Sequence, residues 1–316
     1  MAHELEMVDG KAQMAYTVDG GVPWHGLGVP LEKGASPTEM MVAAGLDWEV
    51  EEHEAFIRYN GDNISTGQKS LVRKTDGRIL TNVGKNWHPV QNSEAFDFFS
   101  EFCDRGQMEM HTAGSLKEGE IIWALAKVDD DFELFGGDKV ESYMLFSNPH
   151  QYGKSIDIRF TPIRVVCNNT LSMSLKLKAQ NAVKVNHRSE FNADRVKELM
   201  GVAHFKMSQY KEMAEFLGSR RTSEDTIKEY FGTLLGGSKK EGKLSRTGER
   251  AMEVLHEQPG AEFAEGSWWS AFNAVTYLAD HEMGRAADTR MQSSWYGANQ
   301  RLKVKALETA LDMADA

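Results

Sequence analysis

Eight residues near the middle of the chain alternate strictly between apolar and polar side chains. Leu171, Met173, Leu175 and Leu177 have one parity, and Ser172, Ser174, Lys176 and Lys178 have the other. A repeat of two is the period of a β-strand, in which successive side chains point to opposite faces of the sheet. The pattern therefore predicts a strand with one dry face and one basic face.

The stretch just before this run predicts a buried strand that ends in a polar turn, and Phe160–Leu171 reads FTPIRVVCNNTL. Between Lys154 and Arg188 the chain has seven basic residues and one acidic residue, Asp157, whereas the formal net charge of the whole chain is −11. A segregated basic face is what an acidic protein needs in order to bind nucleic acid. The alternative is the solvated outer face of an amphipathic sheet.

Residues of this basic region form a candidate nucleic-acid-binding site. Their basic side chains would neutralise phosphates, and their amides would donate hydrogen bonds to the nucleic-acid backbone. Alternate residues of a strand lie about 7 Å apart, close to the spacing of nucleotides in an extended single strand. The candidate residues are Arg159, Arg164, Asn168, Asn169, Lys176, Lys178, Lys184 and Arg188.

Aromatic side chains beside the basic region could stack on nucleobases. Tyr152 and His150 lie in the loop before the central strand, where we expect both to be exposed. Trp87 and His88 offer a second platform beside Lys85. For Trp87 the competing expectation, that the indole fills the edge of the core, is the stronger of the two.

The distribution of periodicities along the chain predicts an α+β fold. The N-terminal two-thirds has the pattern of an antiparallel β-rich region crossed by a helix that begins at Asn92, and the C-terminal third has the pattern of helices. We expect an irregular N-terminal segment at 1–47, a β-rich core with basic central strands at 48–190, and a helical region at 191–316.

Local signals mark several element boundaries. Ser36 followed by Pro37 and Glu39 predicts a helix start with a capping box. Asp76-Gly77 predicts a hairpin turn, and the acidic run Asp129–Asp131 is expected to break a strand. The apolar residues of the helical third would serve either the core or self-association: Tyr277, Leu278, Met291, Trp295, Leu302, Leu307 and Leu311.

The sequence carries no recognisable signature of catalysis or of cofactor binding. The 10 histidines are scattered, and no Cys-x-x-Cys pair occurs, so no metal site is expected. Neither a Gly-x-Ser-x-Gly elbow nor a Walker-type phosphate loop is present. Cys167 follows Val165 and Val166, so we expect a buried apolar thiol and not a nucleophile. We therefore predict no catalytic residue and no cofactor.

Targeting and redox signals predict a cytoplasmic protein without a membrane partner. No run of about 18 apolar residues is present, and the acidic N-terminus lacks the basic and apolar regions of a secretory signal. The chain has two cysteines, Cys103 and Cys167, in unrelated contexts. So few cysteines favour a reducing compartment over a disulfide scaffold.

Four stretches, in order, resemble the phage/plasmid-like protein family, a domain of unknown function found on phages and mobile elements. They are Trp24–Gly28 (WHGLG), Asn92–Phe96 (NSEAF), Phe160–Leu171 and, less specifically, Arg290–Gly297 (RMQSSWYG). The resemblance implies a protein of mobile DNA, grouped with replication and recombination genes, in the host cytoplasm if a phage encodes it. It supplies no catalytic residues. A fold-level analogy to phage single-strand annealing recombinases rests on their curved sheet, hairpins and basic groove.

These observations predict a nucleic-acid-associated protein that binds single-stranded DNA and assists annealing or recombination, acting as a homo-oligomer. Two other classes remain open. One is a metal-dependent enzyme acting on nucleic acid, with acidic residues supplied by the sheet. The other is an acidic interaction module that blocks a host protein, for which the net charge of −11 would suit mimicry of DNA.

Overall fold

The computed structural model divides the chain into two compact units, which are described separately below. Unit 1 comprises Met1–Asp129, Met144–Arg159 and Ala182–Leu199, and unit 2 comprises Asp130–Tyr143, Phe160–Asn181 and Met200–Ala316. The residues that the structure describes are 5–18, 27–104, 108–164, 169–170, 183–185, 193–238, 243–284 and 287–316.

Strands dominate the first part of the chain and helices the last, as the sequence predicts. The strands are β1 (Met7–Val8), β2 (Lys11–Ala12), β3 (Met14–Thr17), β4 (Val29–Leu31), β5 (Val50–Tyr59), β6 (Asp62–Arg73), β7 (Arg78–Gly84), β8 (Met108–Leu116), β9 (Ile121–Leu134), β10 (Asp138–Pro149), β11 (Ile156–Arg164), β12 (Asn169–Thr170), β13 (Val183–Val185), β14 (Gly237–Ser238) and β15 (Lys243–Leu244). The helices are α1 (Pro37–Ala43), α2 (Asn92–Asp104), α3 (Ala193–Ser219), α4 (Glu224–Leu235), α5 (Arg246–Glu257), α6 (Trp268–Tyr277), a π-helical turn (Leu278–Glu282), α7 (Ala287–Tyr296) and α8 (Ala298–Asp315). The predicted α+β class is confirmed.

The largest sheet among the described residues has the strand order β12-β11-β10-β9-β8-β3-β4, and β13 also pairs with β11. The registers of β8 with β9 and of β11 with β12 and β13 are antiparallel, whereas β3 and β4 are parallel. Strands β8 to β11 are adjacent both in the chain and in the sheet, as short connections require. Strands β8 and β9 therefore form a hairpin.

Unit 1 packs α1 and α2 against each other and against β8. Helix α1 begins with the predicted capping box, in which Glu39 N donates to Ser36 Oγ at 3.2 Å and Ser36 N donates to Glu39 Oε2 at 2.8 Å. Helix α2 buries Phe98 and Phe99, whose ring centroids lie 6.4 and 6.1 Å from that of Phe146. Burial of such large apolar rings is the main favourable contribution to the stability of this unit.

A buried ion cluster in unit 1 is centred on Arg73 and includes Glu6. Arg73 is 5% exposed, and its guanidinium donates to Glu6 Oε1 at 2.5 Å and to Asp76 Oδ2 at 2.6 Å. Ser115 Oγ donates to Glu6 Oε2 at 2.7 Å, and the guanidinium lies 5.3 Å from the Trp48 ring centroid. The hydrogen bond from Arg73 holds the pKa of the Asp76 carboxyl below its ordinary value.

The hairpin predicted at Asp76-Gly77 connects β6 and β7, and Arg73 is opposite Arg78. Its conformation differs from the expected one, because only Gly77 of the two has a positive φ, at 70°. Asp76 instead accepts a hydrogen bond from Arg78 N at 3.1 Å. The aspartate therefore shapes this turn through its carboxylate.

Strands β5, β6 and β7 form a separate three-stranded sheet in which β5 is at the edge. Gln68 of β6 is opposite Gly84, the last residue of β7, so residues 55–67 extend beyond β7 as a two-stranded hairpin. We call residues 55–67 the arm. Asn60 and Gly61 connect its strands with φ values of 51° and 94°, the positive φ pair that a two-residue hairpin turn needs.

Unit 2 has a helical core built around aromatic side chains. Trp269 is fully buried, and its ring centroid lies 6.1 Å from that of Tyr210 and 5.7 Å from that of Phe272. Its indole Nε1 donates to Asp138 Oδ2 at 2.9 Å. Leu278, Trp295 and Leu307 are also buried in this unit, so core packing is their observed role.

The π-helical turn after α6 holds a buried ion pair. Lys303 of α8 is fully buried, and its Nζ lies 2.6 Å from Asp280 Oδ1. Asn299 Nδ2 donates to the backbone oxygen of Ala279 at 2.5 Å and to that of Met283 at 3.3 Å. Burial lowers the pKa of the Lys303 ammonium, and the charge of Asp280 opposes this effect.

Two expectations about local structure need correction. The acidic run Asp129–Asp131 does not break a strand, because β9 continues through it to Leu134. Residues 1–47 hold the strands β1 to β4 in addition to the predicted short helix. The three-part division at 47 and 190 stays a prediction.

The Lys303–Asp280 pair yields a test of stability. We expect Lys303→Met to lower the free energy of unfolding by about 3–5 kcal/mol, because it leaves the Asp280 carboxylate buried without its lysine. Adding Asp280→Asn should recover part of this loss. Lys305→Met, at an exposed position of the same helix, should change the free energy by less than about 0.5 kcal/mol. Urea unfolding followed by tryptophan fluorescence measures all four chains, and equal effects of the two lysine substitutions would contradict the expectation.

Candidate functional site

The structure describes part of the predicted basic region. Asn168, Lys176, Lys178 and Arg188 lie outside the described residues, as do the alternating run at 171–178 and Cys167. For the other positions the strand pairing is described, and Arg164 of β11 is opposite Asn169 of β12. Lys184 of β13 is opposite Asp157 of β11.

Arg159 is the candidate residue whose side chain is described, and it is buried. It is 7% exposed, and its Nε and Nη2 donate to Asp157 Oδ1 and Oδ2 at 2.8 and 2.6 Å. This bidentate geometry is the strongest that an arginine and a carboxylate can form. The one acidic residue of the basic region is thus bonded to one of its seven bases.

Unit 1 contains a surface groove of about 260 Å³ that coincides with a predicted aromatic platform. We call it the Tyr152 groove, and it is lined by Gly84, Lys85, Asn86, Trp87 and Tyr152. It lies where β7 ends, at the base of the arm. A groove of this size is smaller than the pockets that hold drug-sized ligands and suits one planar ring.

One wall of the groove is fixed by a tight turn. Trp87 N donates to the backbone oxygen of Gly84 at 3.0 Å, which reverses the chain after β7. The indole of Trp87 is 6% exposed, so it fills the edge of the core as expected. Lys69 Nζ donates to the backbone oxygen of Trp87 at 3.4 Å and also pairs with Glu52. This wall is therefore rigid, and its ring is largely unavailable for stacking.

Tyr152, on the other wall, is 65% exposed. It lies in a turn that is closed by a hydrogen bond from Lys154 N to the backbone oxygen of Gln151 at 3.2 Å, with Gly153 at φ 74°. Gln151 Nε2 also bonds the carboxylate of Glu120. The turn thus holds the phenol ring outward on a fixed base.

His150 does not share this exposure, which corrects the expectation from the sequence. It is fully buried, with Nε2 3.2 Å from Asn92 Oδ1 and its ring centroid 5.6 Å from that of Trp48. Its backbone N donates to the backbone oxygen of Glu120 at 2.7 Å. His150 anchors the loop that presents Tyr152, and the sequence offered no signal that separates the two roles.

The exposed cations of this region are Lys85, in the groove, and Lys154, two residues beyond Tyr152. Among the described residues neither lysine has an ion-pair partner. The nearby carboxylate of Glu52 is occupied by Lys69 and lies 3.9 Å from His88 Nδ1. An aromatic ring with two available ammonium groups can hold a planar ring and the anion attached to it.

The described ranges hold neither a candidate metal site nor a membrane-spanning helix. No group of three or more His, Cys, Asp or Glu side chains there is placed to hold a metal ion. No helix within these ranges combines the length and the apolarity needed to cross a membrane.

Fold and groove together define a mixed α+β protein with a small aromatic and cationic surface site. The family model described as a domain of unknown function (DUF932) matches residues 79–302, and the chain belongs to this family. No curated protein and no solved structure matches the chain. The matched range includes the whole Tyr152 groove and the basic strands.

Cys103 gives a test of thiol reactivity in unit 1. Burial, with a smaller effect of the Asp104 charge, raises the pKa of Cys103 to about 11. Since the thiolate is the reactive form, we expect iodoacetamide at pH 8 to alkylate native Cys103 about 100-fold more slowly than the same residue in urea. A Cys167→Ser background isolates the signal, which mass spectrometry of quenched samples measures. Equal rates in the folded and unfolded chains would contradict this prediction.

Proposed function

We propose that this protein binds single-stranded nucleic acid and assists annealing or recombination of phage or other mobile DNA, in the cytoplasm of the cell that carries it. The observation that carries the proposal is Tyr152, an aromatic ring 65% exposed at the rim of a groove that also contains Lys85. Exposed aromatic rings beside cations are the shared device of proteins that bind single strands. The mobile-DNA context comes from the sequence resemblance.

The Tyr152 groove supplies the contacts in the following way. A nucleobase stacks on the phenol ring of Tyr152, and every base can do so because each has a π-face. Lys85 and Lys154 neutralise the flanking phosphates. Because Trp87 is buried, Tyr152 is the stacking ring among the residues that line the groove. The loop of Tyr152 leads directly into β11, where Asp157 is opposite Lys184, so a strand bound here would continue toward Lys184.

Arg159 has a different part in this proposal from the one its sequence position suggests. Its guanidinium is bonded to Asp157, and contact with a phosphate would compete with that ion pair. We assign Arg159 to holding β11 and leave phosphate binding to the other basic residues of the region. Asn168 and Asn169 would donate hydrogen bonds to the nucleic-acid backbone.

Two alternatives from other classes predict different results. A metal-dependent enzyme acting on nucleic acid would form product only with magnesium or manganese. An acidic module that blocks a host protein would retain its partner after nuclease treatment. No described side chain supports either alternative. The net charge of −11 is the sequence feature that favours the blocking module.

A salt titration tests the proposal. We expect a fluorescent oligothymidylate to bind more tightly than duplex DNA of the same length, with affinity that falls steeply as salt increases, because bound phosphates release counterions. Fluorescence anisotropy in the presence of EDTA measures both ligands. Affinity that is independent of salt, or no binding at all, would overturn the proposal.

Substitutions then separate the groove from the bulk charge. Tyr152→Ala should raise the dissociation constant by about 5-fold to 100-fold, the effect of losing one stacked base, whereas Tyr152→Phe should not. Lys85→Ala should lower the slope of log affinity against log salt by about 0.7, the value for one phosphate contact. Phe205→Ala, at a ring 59% exposed in α3, is the matched aromatic control.

The predicted basic strands are tested separately with Arg164→Ala and with Lys176→Ala/Lys178→Ala. We expect both variants to weaken binding and to lower the salt slope while circular dichroism stays unchanged. If the affinity of these variants equals that of the wild type, the basic stretch is a solvated face and the groove acts alone.

A further inference from the structure

The arm exposes apolar side chains on both of its faces. Ile57 is opposite Ile64, and Tyr59 is opposite Asp62, so Ile57, Tyr59 and Ile64 share one face. They are 54%, 62% and 46% exposed. Phe56, on the other face, is 54% exposed. A two-stranded hairpin is marginally stable in water. Its exposed apolar side chains would contribute a favourable free energy of burial only if another surface covered them.

The outer edge of β5 carries hydrogen-bonding groups that β6 does not use. Thr66 Oγ1 donates to the backbone oxygen of Ala55 at 2.9 Å, so the backbone groups of Ala55 face β6. Backbone groups alternate along a strand, and those of Glu54, Phe56 and Arg58 therefore face away from β6. Among the described strands β5 pairs with β6 alone, so this edge is open at residues 54–58, whereas at Val50 the side chain of Gln91 bonds both backbone groups.

The edge is also regular enough to accept another strand. The register shift in the hairpin lies between Glu54 and Phe56, and their partners are Lys69 and Ser65. One residue of β5, Ala55, thus faces three of β6, residues 66–68, which places the additional residues in β6, where Gly67 has a φ of 69°. Strand β5 contains no insertion, and its outer edge keeps an even spacing of donors and acceptors.

The charged residues on this edge are placed so that they would complement those of a second copy. Glu54 and Arg58 lie on either side of Phe56 and on the same face as Phe56. If two copies of β5 pair antiparallel with Phe56 on the two-fold axis, Glu54 of each copy is opposite the partner subunit's Arg58. Among the described residues Arg58 has no ion pair, and the carboxylate of Glu54 accepts a hydrogen bond from Ser65 Oγ at 2.5 Å.

We propose that the arm is a homodimerisation element, in which the β5 edges of two copies pair antiparallel about Phe56. The pairs of residues 54, 56 and 58 supply about six backbone hydrogen bonds, two from each hydrogen-bonded pair. The two arms become one four-stranded ribbon. Its apolar face joins Ile57 and Ile64 of one copy to those of the other, and Ala55 is opposite the partner subunit's Ile57.

A second copy fits this edge better than a nucleic acid does. The arm and its base contain Glu54, Arg58 and Asp62, so they have no excess of positive charge to attract phosphates. The isologous geometry of a two-fold dimer needs the same surface to complement itself, and the Glu54, Phe56, Arg58 order meets this requirement. The inference is independent of nucleic-acid binding at the Tyr152 groove.

Register-specific crosslinking tests the proposed pairing. In a Cys103→Ser/Cys167→Ser background of the full chain, Phe56→Cys places two thiols opposite each other on the axis, within the Cα separation that a disulfide spans. We expect mild oxidation to give a covalent dimer. Glu54→Cys is the matched control, because its two thiols would be offset by about 13 Å along the strands. Equal crosslinking of the two variants, or none for Phe56→Cys, would overturn the proposal.

Charge reversal provides a test without cysteines. Glu54→Arg and Arg58→Glu each place like charges opposite one another twice, so each should raise the dimer dissociation constant at least about tenfold. The double variant Glu54→Arg/Arg58→Glu should restore dimerisation. Glu229→Arg, at an exposed position of α4, is the control. Sedimentation velocity over a range of protein concentrations measures all five chains. A wild-type monomer at every concentration, or no recovery in the double variant, would refute the arm interface.

Discussion

Antiparallel hydrogen bonding between strands that follow one another in the chain is the constraint on which the β part of this protein depends. It joins β5 to β6, β6 to β7 and β8 to β9, and it needs only short turns. The places of interest are where this pairing stops. The Tyr152 groove lies where β7 ends. The arm begins where β6 extends beyond the last residue of β7. The turn that carries Tyr152 connects β10 to β11. Pairing thus builds the scaffold, and its limits create the exposed features.

Sequence reasoning succeeded where the signal was local. The Ser36 capping box and the class of the fold follow from side chains that act within a few residues. It failed where a tertiary partner decides the outcome. Asp129–Asp131 reads as a strand break, yet β9 continues through it. His150 and Tyr152 differ by two positions and have opposite exposure. Their difference comes from Asn92 and Trp48, which are remote in sequence, so no local pattern could reveal it.

The hairpins show the same limit from the opposite direction. Asp76-Gly77 predicts a hairpin turn because both residues tolerate a positive φ. In the structure Asp76 shapes the turn through its hydrogen bonds to Arg73 and Arg78. Asn60-Gly61 has the positive φ values of a two-residue turn. The strands on either side contain many polar residues, so they lack the apolar–polar alternation by which a strand is predicted from sequence. The arm has no buried face, and hydrophobic periodicity reports only burial against the same chain.

Formal charge proved a coarse guide because several bases are internal. Arg73, Arg159 and Lys303 are all buried, and each has a carboxylate within 2.6 Å. Such pairs contribute little net stability compared with apolar replacements, but removing one partner is costly. These buried pairs reduce the number of cations on the surface, but the formal net charge of the chain still counts them. The exposed charge around the Tyr152 groove is therefore more informative than the total over any window of sequence.

The interleaving of the two units limits how the gene can be divided. Trp269, at the centre of the helical core, bonds Asp138, which precedes it by 131 residues. A fragment that begins after residue 190 would lack Asp138 and the rest of Asp130–Tyr143, which unit 2 includes. Exchanges of segments between members of this family should therefore preserve both stretches together, because the helical part is completed by a piece of chain encoded within the β-rich part.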